Sequence, residues 1–481
     1  MNQPHLPPSL DLDWSAQKVV VAGAGVTGIA VAKALASRGA SVHIVDRTLD
    51  SDSTAREELV SMGYRADDDE IGAVVEASLV VVSPGWRPDA PIVQTAVALQ
   101  VPVFGELDLA WILQQQHSGV GPAWLALTGT NGKTTAVTMA ESMLLADGRR
   151  ALAVGNVGHS IVEAIDNENP YEAIALELSS FQLHRSTVMR PLASAILNIA
   201  ADHLDWHGDM ASYTADKARI FERTTRACIY RAEDPITRQL IEQADVEDGC
   251  RAIGTTLGVP ALGELGVVDG VLLDRAFEDN RREHATELAN ISDLGDPPAH
   301  TVANALSAAA LVRAFGAAPQ SVADGLRAWR PQPHRMHVVA TINGVSWVDD
   351  SKATNPHAAA AALASYSDVV WIAGGLAKGA DFDELVKSAA SRLRAVIVIG
   401  TDRDQIAAAV RRHAPDVPII DADAVETSAV ELMQGVIEVA RKHAIEGSTV
   451  LLAPACASMD RFLDYHQRGQ IFADLVLAMT P

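Results

Sequence analysis

The amino-acid sequence predicts an α/β protein of three domains, and three observations support this fold class. The chain has 481 residues, which is enough for about three domains of ordinary size. Short apolar runs that are typical of buried strands alternate with helix-compatible segments at both ends of the chain. Hydrophobic residues make up 48% of the sequence, which is sufficient for several cores and excludes global disorder.

The first predicted domain, residues 1–117, is Rossmann-like. The strand KVVVA runs into the glycine turn GAGVTG at residues 23–28, and the next strand, SVHIV, leads to Asp46, about 20 residues further on. A glycine turn followed by such a carboxylate is typical of a site for a pyrophosphate and its nucleoside. A tight turn without a ligand and an NAD(H)-binding dehydrogenase are the alternatives, although no hydride-transfer residues follow the turn.

The second predicted domain, residues 118–331, is a P-loop ATPase-type α/β domain. Its strand WLALT enters the loop TGTNGKTT at residues 128–135, and a helix-compatible segment follows. The glycines of this loop let backbone N–H groups point at phosphate oxygens, and the positive end of the helix dipole favours the same anion. Lys133 is expected to contact the outer phosphates of ATP, and the Thr134 hydroxyl to bind Mg²⁺. Leu127 stands where the common phosphate loop has its first glycine, so a chance turn is the alternative.

The third predicted domain, residues 332–481, is again Rossmann-like. It follows a proline-rich boundary, RPQPHR, and alternates helix-compatible segments with the strands VSWVD, VVWIAGG, AVIVIG and TVLLAP. Ligands of open α/β sheets collect at the carboxyl ends of the strands. The polar residues that follow these strands are therefore candidates for a binding site.

Charge and cysteine content argue against several functions. The formal net charge of −23 argues against binding to nucleic acid or to an anionic membrane surface. A polyanionic ligand must therefore be met by cations that are concentrated at its site. The widely spaced Cys228, Cys250 and Cys456 predict neither a disulfide framework nor a zinc site. No signal pattern and no apolar run of about 18 residues are visible, so we expect a cytoplasmic protein without a membrane segment. We also expect a monomer.

Further strings in the second domain resemble the Mur ligases, which form the amide bonds of the peptidoglycan peptide with ATP. They are GNVG at 155–158, LELSSFQL at 176–183, NIAADHLDWHG at 198–208 and YTADKARIF at 213–221. In the third domain, PHRMHVV, DSKATNP, GGLAKGADF and PACASMD are similar to the members that add D-glutamate to UDP-N-acetylmuramoyl-L-alanine. The resemblance covers nearly the whole chain in the same domain order. It implies three small-molecule substrates: ATP, D-glutamate and the UDP-linked muramoyl compound.

The resemblance also implies the reaction and its catalytic residues. A substrate carboxylate attacks the γ-phosphate of ATP, and the amine of D-glutamate then attacks the resulting acyl phosphate. The implied catalytic residues are Lys133, Glu177, His203, Lys217 and Arg335. Lys217 would act as a carbamate formed with CO₂, and the implied ligands of two Mg²⁺ ions are Thr134, Glu177, His203 and Lys217. From the residues alone, Glu177 is equally a solvated carboxylate. His203 is then more typical of a loop imidazole, and Lys217 of an exposed helix lysine.

The implied binding residues are distributed over all three domains. The ATP-binding residues are expected to be Gly129, Thr130, Asn131, Gly132, Lys133, Thr134, Thr135, Asn304, Arg335 and Asp350. The UDP substrate is expected to bind Gly25, Val26, Thr27, Asp46, Arg47, Ser83, Asn156, Ser179 and Gln182. From the residues alone, the last three are equally turn caps. On the third domain, which is expected to act as a mobile lid, D-glutamate would bind Lys352, Thr354, Lys378, Ser458 and Tyr465.

Two positions depart from the family pattern, and other functions stay open. The aspartate that usually precedes the lysine of the Gly-Gly-x-x-Lys segment is missing, because Leu376 and Ala377 precede Lys378. An asparagine often found three residues before Asn304 is replaced by Thr301. The alternatives are a related ligase, such as a folylpolyglutamate synthase, and a nucleotide-binding regulator that has lost its chemistry. The joint presence of the implied catalytic residues argues against the regulator.

Overall fold

The computed structural model of the protein describes residues 12–50, 53–117, 121–295, 297–423 and 428–479. They form two compact units. The first contains the described residues up to Ile199 together with Ala211–Trp329, and the second contains Ala200–Met210 and the described residues from Arg330 onwards. Residues 1–11, in which no signal pattern was visible, and residues 118–120 of the first predicted boundary lie outside the described residues. The domain limits at 117 and 331 stay predictions.

The amino-terminal sheet of the first unit is fully parallel. Its strands are β1 (Lys18–Ala22), β2 (Ser41–Val45), β3 (Arg65–Asp67), β4 (Leu79–Val82) and β5 (Val103–Gly105). The helices are α1 (Val26–Ala36), α2 (Ser53–Ser61), α3 (Glu70–Val75), α4 (Pro91–Ala98) and α5 (Glu106–Gln116). The strand order is β3-β2-β1-β4-β5. The glycine turn after β1 therefore lies where the order reverses, the position at which doubly wound sheets bind nucleotides.

The second sheet of this unit has nine strands in the order β14-β13-β12-β11-β10-β9-β6-β8-β7. They are β6 (Ala123–Thr128), β7 (Ala151–Gly155), β8 (Ala173–Glu177), β9 (Ala193–Ile196), β10 (Ala227–Arg231), β11 (Arg251–Thr255), β12 (Glu264–Val268), β13 (Val271–Asp274) and β14 (Thr286–Asn290). Only the pairs β12–β13 and β13–β14 are antiparallel. The accompanying helices are α6 (Lys133–Ala146), α7 (Ile161–Ile165), α8 (Ser180–His184), α10 (Met210–Ala218), α11 (Pro235–Glu242), α12 (Ala299–Phe315) and α13 (Pro319–Ala328).

The second unit contains helix α9 (Leu204–His207) and a six-stranded sheet in the order β15-β16-β20-β17-β18-β19. The strands are β15 (His337–Ile342), β16 (Val345–Asp349), β17 (Val369–Gly374), β18 (Leu393–Ile399), β19 (Ile419–Asp421) and β20 (Thr449–Leu452). Only β15 is antiparallel to its neighbour. The other helices are α14 (Pro356–Ala364), α15 (Asp383–Ala389), α16 (Arg403–His413), α17 (Ala429–His443) and α18 (Tyr465–Leu477).

Apolar strands covered by helices form the cores, which confirms the predicted α/β fold class. All six residues of β17 are buried, because helices cover both faces of its sheet. In the first unit, α6, α12 and α13 pack on the nine-stranded sheet.

None of the described helices has the length and apolar character that crossing a membrane requires. Short 3₁₀ helices occur at Trp14–Ala16, Arg47–Asp50, Arg219–Phe221, Ile291–Leu294 and Ala390–Arg392.

Two buried carboxylates on α5 join the two sheets of the first unit. Glu106 accepts hydrogen bonds from Oγ of Ser160 at 2.7 Å and from the backbone N–H of Ile161 at 2.8 Å, at the start of α7. Asp108 accepts from the backbone N–H groups of Thr187 and Val188 at 2.9 and 3.1 Å. Burial raises the pKa of both carboxyl groups, although these hydrogen bonds oppose it. The hydrogen bonds of Glu106 and Asp108 therefore fix the first sheet relative to the nine-stranded sheet.

Candidate active site

The loop between β6 and α6 has the geometry of a phosphate-binding loop. Gly132 has φ 81°, a left-handed conformation that favours glycine, and α6 begins at the next residue. A Cβ on Gly132 would lie 2.5 Å from Oδ1 of Asn304, so the side chain of Asn304 packs directly on the loop. Asn198 accepts the backbone N–H of Asn131 at 2.9 Å and donates to its carbonyl at 3.0 Å. The loop is therefore held open at a helix amino terminus, where an anion is favoured.

Two lysines meet at one carbonyl of this loop. Nζ of Lys133 donates to the carbonyls of Gly129 and Thr130 at 2.9 and 3.0 Å. Nζ of Lys217 donates to the same Gly129 carbonyl at 2.8 Å and to Oγ1 of Thr128 at 3.1 Å. Lys217 is 2% exposed, so its interpretation as an exposed helix lysine is wrong. The two predicted catalytic lysines are therefore neighbours at the start of the phosphate loop.

Glu177 lies within reach of the first turn of α6. It is the last residue of β8, is buried, and accepts hydrogen bonds from Oγ1 of Thr134 at 2.7 Å and Nδ2 of Asn156 at 3.1 Å. Glu177 lies close to the start of α6 because β6 and β8 are parallel neighbours with Leu127 opposite Glu177. The interpretation of Glu177 as a solvated carboxylate is therefore wrong.

The donor set around Glu177 fits Mg²⁺. A carboxylate and a threonine hydroxyl are hard oxygen ligands of the kind that Mg²⁺ prefers. In the part of the chain that the structure describes, no group of three or more His, Cys, Asp or Glu could hold a metal. Phosphate and water oxygens would therefore have to complete the coordination shell, as is usual for Mg²⁺ bound with a nucleotide.

His203 belongs to the second unit, whereas Glu177 and Lys217 belong to the first. It immediately precedes α9 and has φ 54°, and its Nε2 lies 3.7 Å from Oδ2 of Asp202. The same Asp202 oxygen accepts Nδ2 of Asn355 at 3.2 Å, which ties residues 200–210 to the loop before α14. The predicted metal ligands are thus divided between the two units.

A cavity of about 710 Å³ lies at the carboxyl ends of β1, β2 and β4. Its lining includes every first-domain residue predicted to bind the UDP substrate, namely Gly25, Val26, Thr27, Asp46, Arg47 and Ser83. The cavity is large enough for a drug-sized or nucleotide-sized ligand. Its position is the one that the strand order of a doubly wound sheet predicts.

Asp46 holds the glycine turn beside this cavity. Its Oδ2 accepts the backbone N–H of Ala24 at 2.8 Å, and its Oδ1 accepts the backbone N–H and hydroxyl of Thr48 at 2.9 and 2.8 Å. Burial opposes the charged form, but these hydrogen bonds outweigh it and lower the pKa of the Asp46 carboxyl. Asp46 is therefore a fixed anion at neutral pH.

Changing Asp46 to asparagine is expected to weaken binding of the predicted UDP substrate. The amide cannot accept all of these hydrogen bonds, so we expect KM for that substrate to rise about tenfold with little change in kcat. Steady-state kinetics of Asp46→Asn, beside the exposed control Glu76→Gln, measures the effect. A tenfold loss in kcat at unchanged KM would contradict this role.

Trp86 and Arg185, which lie near this cavity, were not predicted from the sequence. The guanidinium carbon of Arg47 lies 5.5 Å from the Trp86 ring centroid, and Arg47 is also paired with Glu70 at 2.5 Å. The Trp86 carbonyl accepts Nη2 of Arg185 at 3.2 Å, and burial lowers the pKa of Arg185 to about 10. The string SPGW after an apolar strand was the available signal for Trp86. No local pattern marks Arg185, because its contact spans 99 residues.

Ser179 and Gln182 form a capping box at the start of α8. Oγ of Ser179 accepts the backbone N–H of Gln182 at 3.2 Å, and Oε1 of Gln182 accepts the backbone N–H of Ser179 at 2.9 Å. The alternative of a turn cap therefore holds for both residues. Their predicted contact with the UDP substrate stays a prediction.

In the second unit, three loops after neighbouring parallel strands are hydrogen-bonded to one another. The loops follow β16, β20 and β17. The Ala455 N–H donates to the Ala353 carbonyl at 2.9 Å, and Leu376 and Ala457 exchange backbone hydrogen bonds at 2.9 and 3.0 Å. These loops carry four of the residues predicted to bind D-glutamate: Lys352, Thr354, Lys378 and Ser458. The fifth, Tyr465, joins them because Nζ of Lys352 lies 3.7 Å from its ring centroid.

A carboxylate from another loop contacts the segment of Lys378, in which the usual acid is missing. Oδ2 of Asp402, from the loop after β18, accepts the backbone N–H of Ala377 at 2.8 Å. Lys378 itself has φ 52°, in the left-handed region. The conformation of the segment is therefore fixed by a contact that spans 25 residues, which the sequence alone did not reveal.

Arg335 lies between two residues in left-handed conformations, His334 (φ 62°) and Met336 (φ 46°). His334 is buried, and its Nδ1 lies 2.6 Å from Oδ2 of Asp349. A Cβ on Gly469 would clash with His334 Nδ1, so α18 closes over this pair. The buried His334–Asp349 contact thus fixes the backbone that presents Arg335.

Asp350, the predicted ATP-side residue, lies buried directly after β16. Burial raises the pKa of its carboxyl to about 7, although the Met336 N–H, which donates to Oδ1 at 3.2 Å, and the charge of Arg335 oppose the shift. In the unfolded chain, the usual pKa of 3.8 applies. Between these values, the folded state keeps a proton that the unfolded state has lost.

The stability contribution of Asp350 is therefore expected to be lost as pH rises from about 4 to about 7. The loss amounts to at most about 4 kcal/mol. An asparagine side chain cannot ionise, so Asp350→Asn should gain melting temperature relative to the wild type when pH is raised from about 5 to about 8. Calorimetry at both pH values measures this difference. An unchanged difference would show that Asp350 does not titrate in this window.

Three segments of the chain match known protein domains. Residues 17–105 match the Mur ligase MurD-like N-terminal domain, and residues 127–312 match the Mur ligase middle domain. Residues 334–456 match the Mur ligase glutamate ligase domain. The three matched domains follow one another along the chain in the same order as the three predicted domains.

The chain is also similar to curated proteins over nearly its full length. It is 50% identical over 467 residues to UDP-N-acetylmuramoylalanine–D-glutamate ligase of Streptomyces avermitilis, covering 96% of this chain and 98% of the relative. The protein of the same name from Thermobifida fusca is 48% identical over 481 residues, with coverages of 98% and 100%. The relative from Mycolicibacterium smegmatis is 43% identical over 489 residues, with both coverages at 96%.

Solved structures share the fold at low identity. MurF from Acinetobacter baumannii is 16% identical with a TM-score of 0.58, and the match covers 91% of each chain. UDP-N-acetylmuramate-alanine ligase MurC from Thermotoga maritima is 19% identical with a TM-score of 0.55, covering 96% of this chain and 99% of that chain. These likenesses concern the fold alone.

Proposed function

Because this chain belongs to the Mur ligase family, we propose that it joins D-glutamate to UDP-N-acetylmuramoyl-L-alanine through an ATP-driven amide bond. This activity is named for relatives that match the chain over nearly its full length. The observation that carries the proposal is the cluster of Lys133, Thr134 and Glu177 at the phosphate loop. The reaction belongs to peptidoglycan precursor synthesis, and we place it in the cytoplasm in a monomeric enzyme.

The first step is attack of the L-alanine carboxylate on the γ-phosphate of ATP. Both partners are anionic, so cations must neutralise the phosphates and hold the attack in line. Lys133 moves its Nζ from the Gly129 and Thr130 carbonyls to the phosphates, and loop N–H groups bind the same anion. Thr134 and Glu177 would hold Mg²⁺, which supplies charge neutralisation when bound. Arg335 contacts the γ-phosphate through its guanidinium.

The second step is attack of the D-glutamate amine on the acyl phosphate, which releases phosphate and leaves the amide. D-glutamate carries two carboxylates, so its site needs cations and hydroxyl donors. Lys352 and Lys378 supply the cations, and Thr354 and Ser458 supply hydroxyl groups from adjoining loops. Tyr465 supports Lys352 through its ring.

We further propose that Lys217 is carbamylated and, with His203, holds a second Mg²⁺. Lys217 is buried beside the phosphate loop, and its neutral amine is the form that would react with CO₂ to give a carbamate and a proton. Isotope-labelled bicarbonate should place one labelled carbamate carbon on wild-type enzyme and none on Lys217→Arg. Equal labelling of both proteins would overturn this assignment.

Phosphate release tests the proposed activity. ATP, Mg²⁺ and UDP-N-acetylmuramoyl-L-alanine are supplied with D-glutamate, L-glutamate, glycine, L-lysine or meso-diaminopimelate. We expect turnover with D-glutamate at least about 100-fold above any other amino acid. Lys352 and Lys378 would each pair with one carboxylate, and only one stereochemistry places both carboxylates correctly. Turnover with another amino acid would move the chain to a different ligase activity, and no turnover with any would refute the ligase proposal.

A further inference from the structure

Two thiols of the first unit are in contact, away from the proposed reaction. Sγ of Cys228 lies 3.8 Å from Sγ of Cys250. Cys228 is the second residue of β10, and Cys250 immediately precedes β11, the parallel neighbour of β10. Cys228 stands opposite Ala252, two residues after Cys250, so the two thiols meet where the neighbouring strands begin.

The thiol pair lies at the end of the sheet that does not bind phosphate. The strands β6, β9 and β10 run parallel, and the phosphate loop follows the carboxyl end of β6. Cys228 and Cys250 lie at the amino-terminal ends of β10 and β11. Besides Cys250, Cys228 contacts Ser194, which is not among the residues proposed to bind substrate or metal.

The two thiols have different surroundings. Cys228 is 1% exposed, and its Sγ also lies 3.5 Å from Oγ of Ser194. Cys250 is half-buried and can be reached from solvent. The hydrogen bond to Cys250 and burial raise the pKa of Cys228, whereas that hydrogen bond and the Arg251 backbone N–H lower the pKa of Cys250 against its partial burial. One thiol is therefore accessible and the other is held beside it as a resolving group.

We propose that Cys250 and Cys228 form a reversible dithiol–disulfide site that is oxidised by peroxide. The Cys250 thiolate attacks one oxygen of hydrogen peroxide, which gives a sulfenic acid and releases the other oxygen as water. Cys228 then attacks the sulfenic sulfur, forms the disulfide and releases a second water. Two thiols are oxidised and one peroxide is reduced, so no further reactant is needed.

The cross-link should stabilise the fold and spare the proposed activity. The sulfur atoms need to approach from 3.8 Å to about 2 Å, and Cys250 precedes its strand, where its side chain can turn. The disulfide would close residues 229–249, which include α11, into a loop. Closing this loop restricts the unfolded chain, so the melting temperature should rise on oxidation. Turnover should be unchanged, because the cross-link lies at the opposite end of the sheet.

Intact-mass spectrometry of the full-length protein tests the site. After one equivalent of hydrogen peroxide, we expect a loss of two hydrogens, a fall from three free thiols to one, and one peptide linking Cys228 to Cys250. Dithiothreitol should reverse all three changes. Cys250→Ser should form no linked peptide and should show no rise in melting temperature with peroxide.

Other outcomes of the same experiment would overturn the proposal. A gain of oxygen without a linked peptide would show that Cys228 does not resolve the sulfenic acid. A linked peptide that contains Cys456 would show that another pair reacts. Alkylation of Cys250 by iodoacetamide in a protein that peroxide leaves unchanged would show that the thiol is accessible but not part of such a site.

Discussion

Lys133→Ala is expected to lower kcat for phosphate release by about 10³-fold. Nζ of Lys133 lies on the phosphate loop, within hydrogen-bond reach of the Gly129 and Thr130 carbonyls, and carries the charge that would meet the outer phosphates. Alanine leaves the loop without this cation while the negative charge of phosphoryl transfer is developing. Single-turnover kinetics with saturating ATP measures the chemical step directly. KM for the UDP substrate should change little, since its cavity lies on another sheet.

Lys387→Ala is the matched control for this change. Lys387 lies on α15 with an exposed side chain, and its ion pair with Glu384 at 3.4 Å lies on the surface. Removing it deletes the same charge from the chain, so a general effect of net charge would appear in both variants. If Lys133→Ala kept wild-type turnover and an unchanged melting temperature, Lys133 of the phosphate loop would have no role in the reaction.

Glu177→Gln is expected to reduce kcat by about 10²- to 10³-fold and to raise the Mg²⁺ concentration needed for half-maximal activity. Glutamine keeps the volume of the side chain and one acceptor for Thr134 or Asn156, but it replaces an anionic oxygen with an amide nitrogen. Mg²⁺ prefers anionic oxygen ligands, so its affinity should fall. A titration of activity against Mg²⁺ measures both effects.

A control variant and rescue by Mg²⁺ distinguish a metal ligand at Glu177 from a structural residue. Glu163→Gln removes a carboxylate from the surface, where Glu163 lies 3.8 Å from His159, and it should leave the Mg²⁺ titration unchanged. High Mg²⁺ should restore part of the activity of Glu177→Gln, which a purely structural defect would not allow. Identical Mg²⁺ titrations for Glu177→Gln and wild type would mean that Glu177 is not a metal ligand.

Local patterns predicted much of the fold. Apolar runs predicted β1, β2 and β6, and the glycine-bearing turns after β1 and β6 were predicted as ligand loops. The cavity at the first turn lies where the glycine fingerprint placed it. These predictions succeed because strand burial and turn conformation depend on neighbouring residues. The edge strand β15 was not predicted, because none of its residues is buried and they show no burial pattern.

The rest of the site depends on contacts between distant residues. Lys217 has an ordinary helix sequence around it. Its Nζ donates to the Gly129 carbonyl, 88 positions away, so its burial depends on tertiary packing. Asp402 reaches the segment of Lys378 from the next strand along the chain, and Gly469 closes on His334 from α18. Such contacts arise from tertiary packing, which sequence spacing does not encode.

The most direct test of the account follows the oxygen atoms of the substrate carboxylate. UDP-N-acetylmuramoyl-L-alanine labelled with heavy oxygen in the L-alanine carboxylate is converted in unlabelled water with ATP and D-glutamate. Attack of this carboxylate on the γ-phosphate predicts one labelled oxygen in the released inorganic phosphate and one in the amide product. Unlabelled phosphate would mean that the carboxylate never attacks the γ-phosphate, and label in AMP would mean that it attacks the α-phosphate instead.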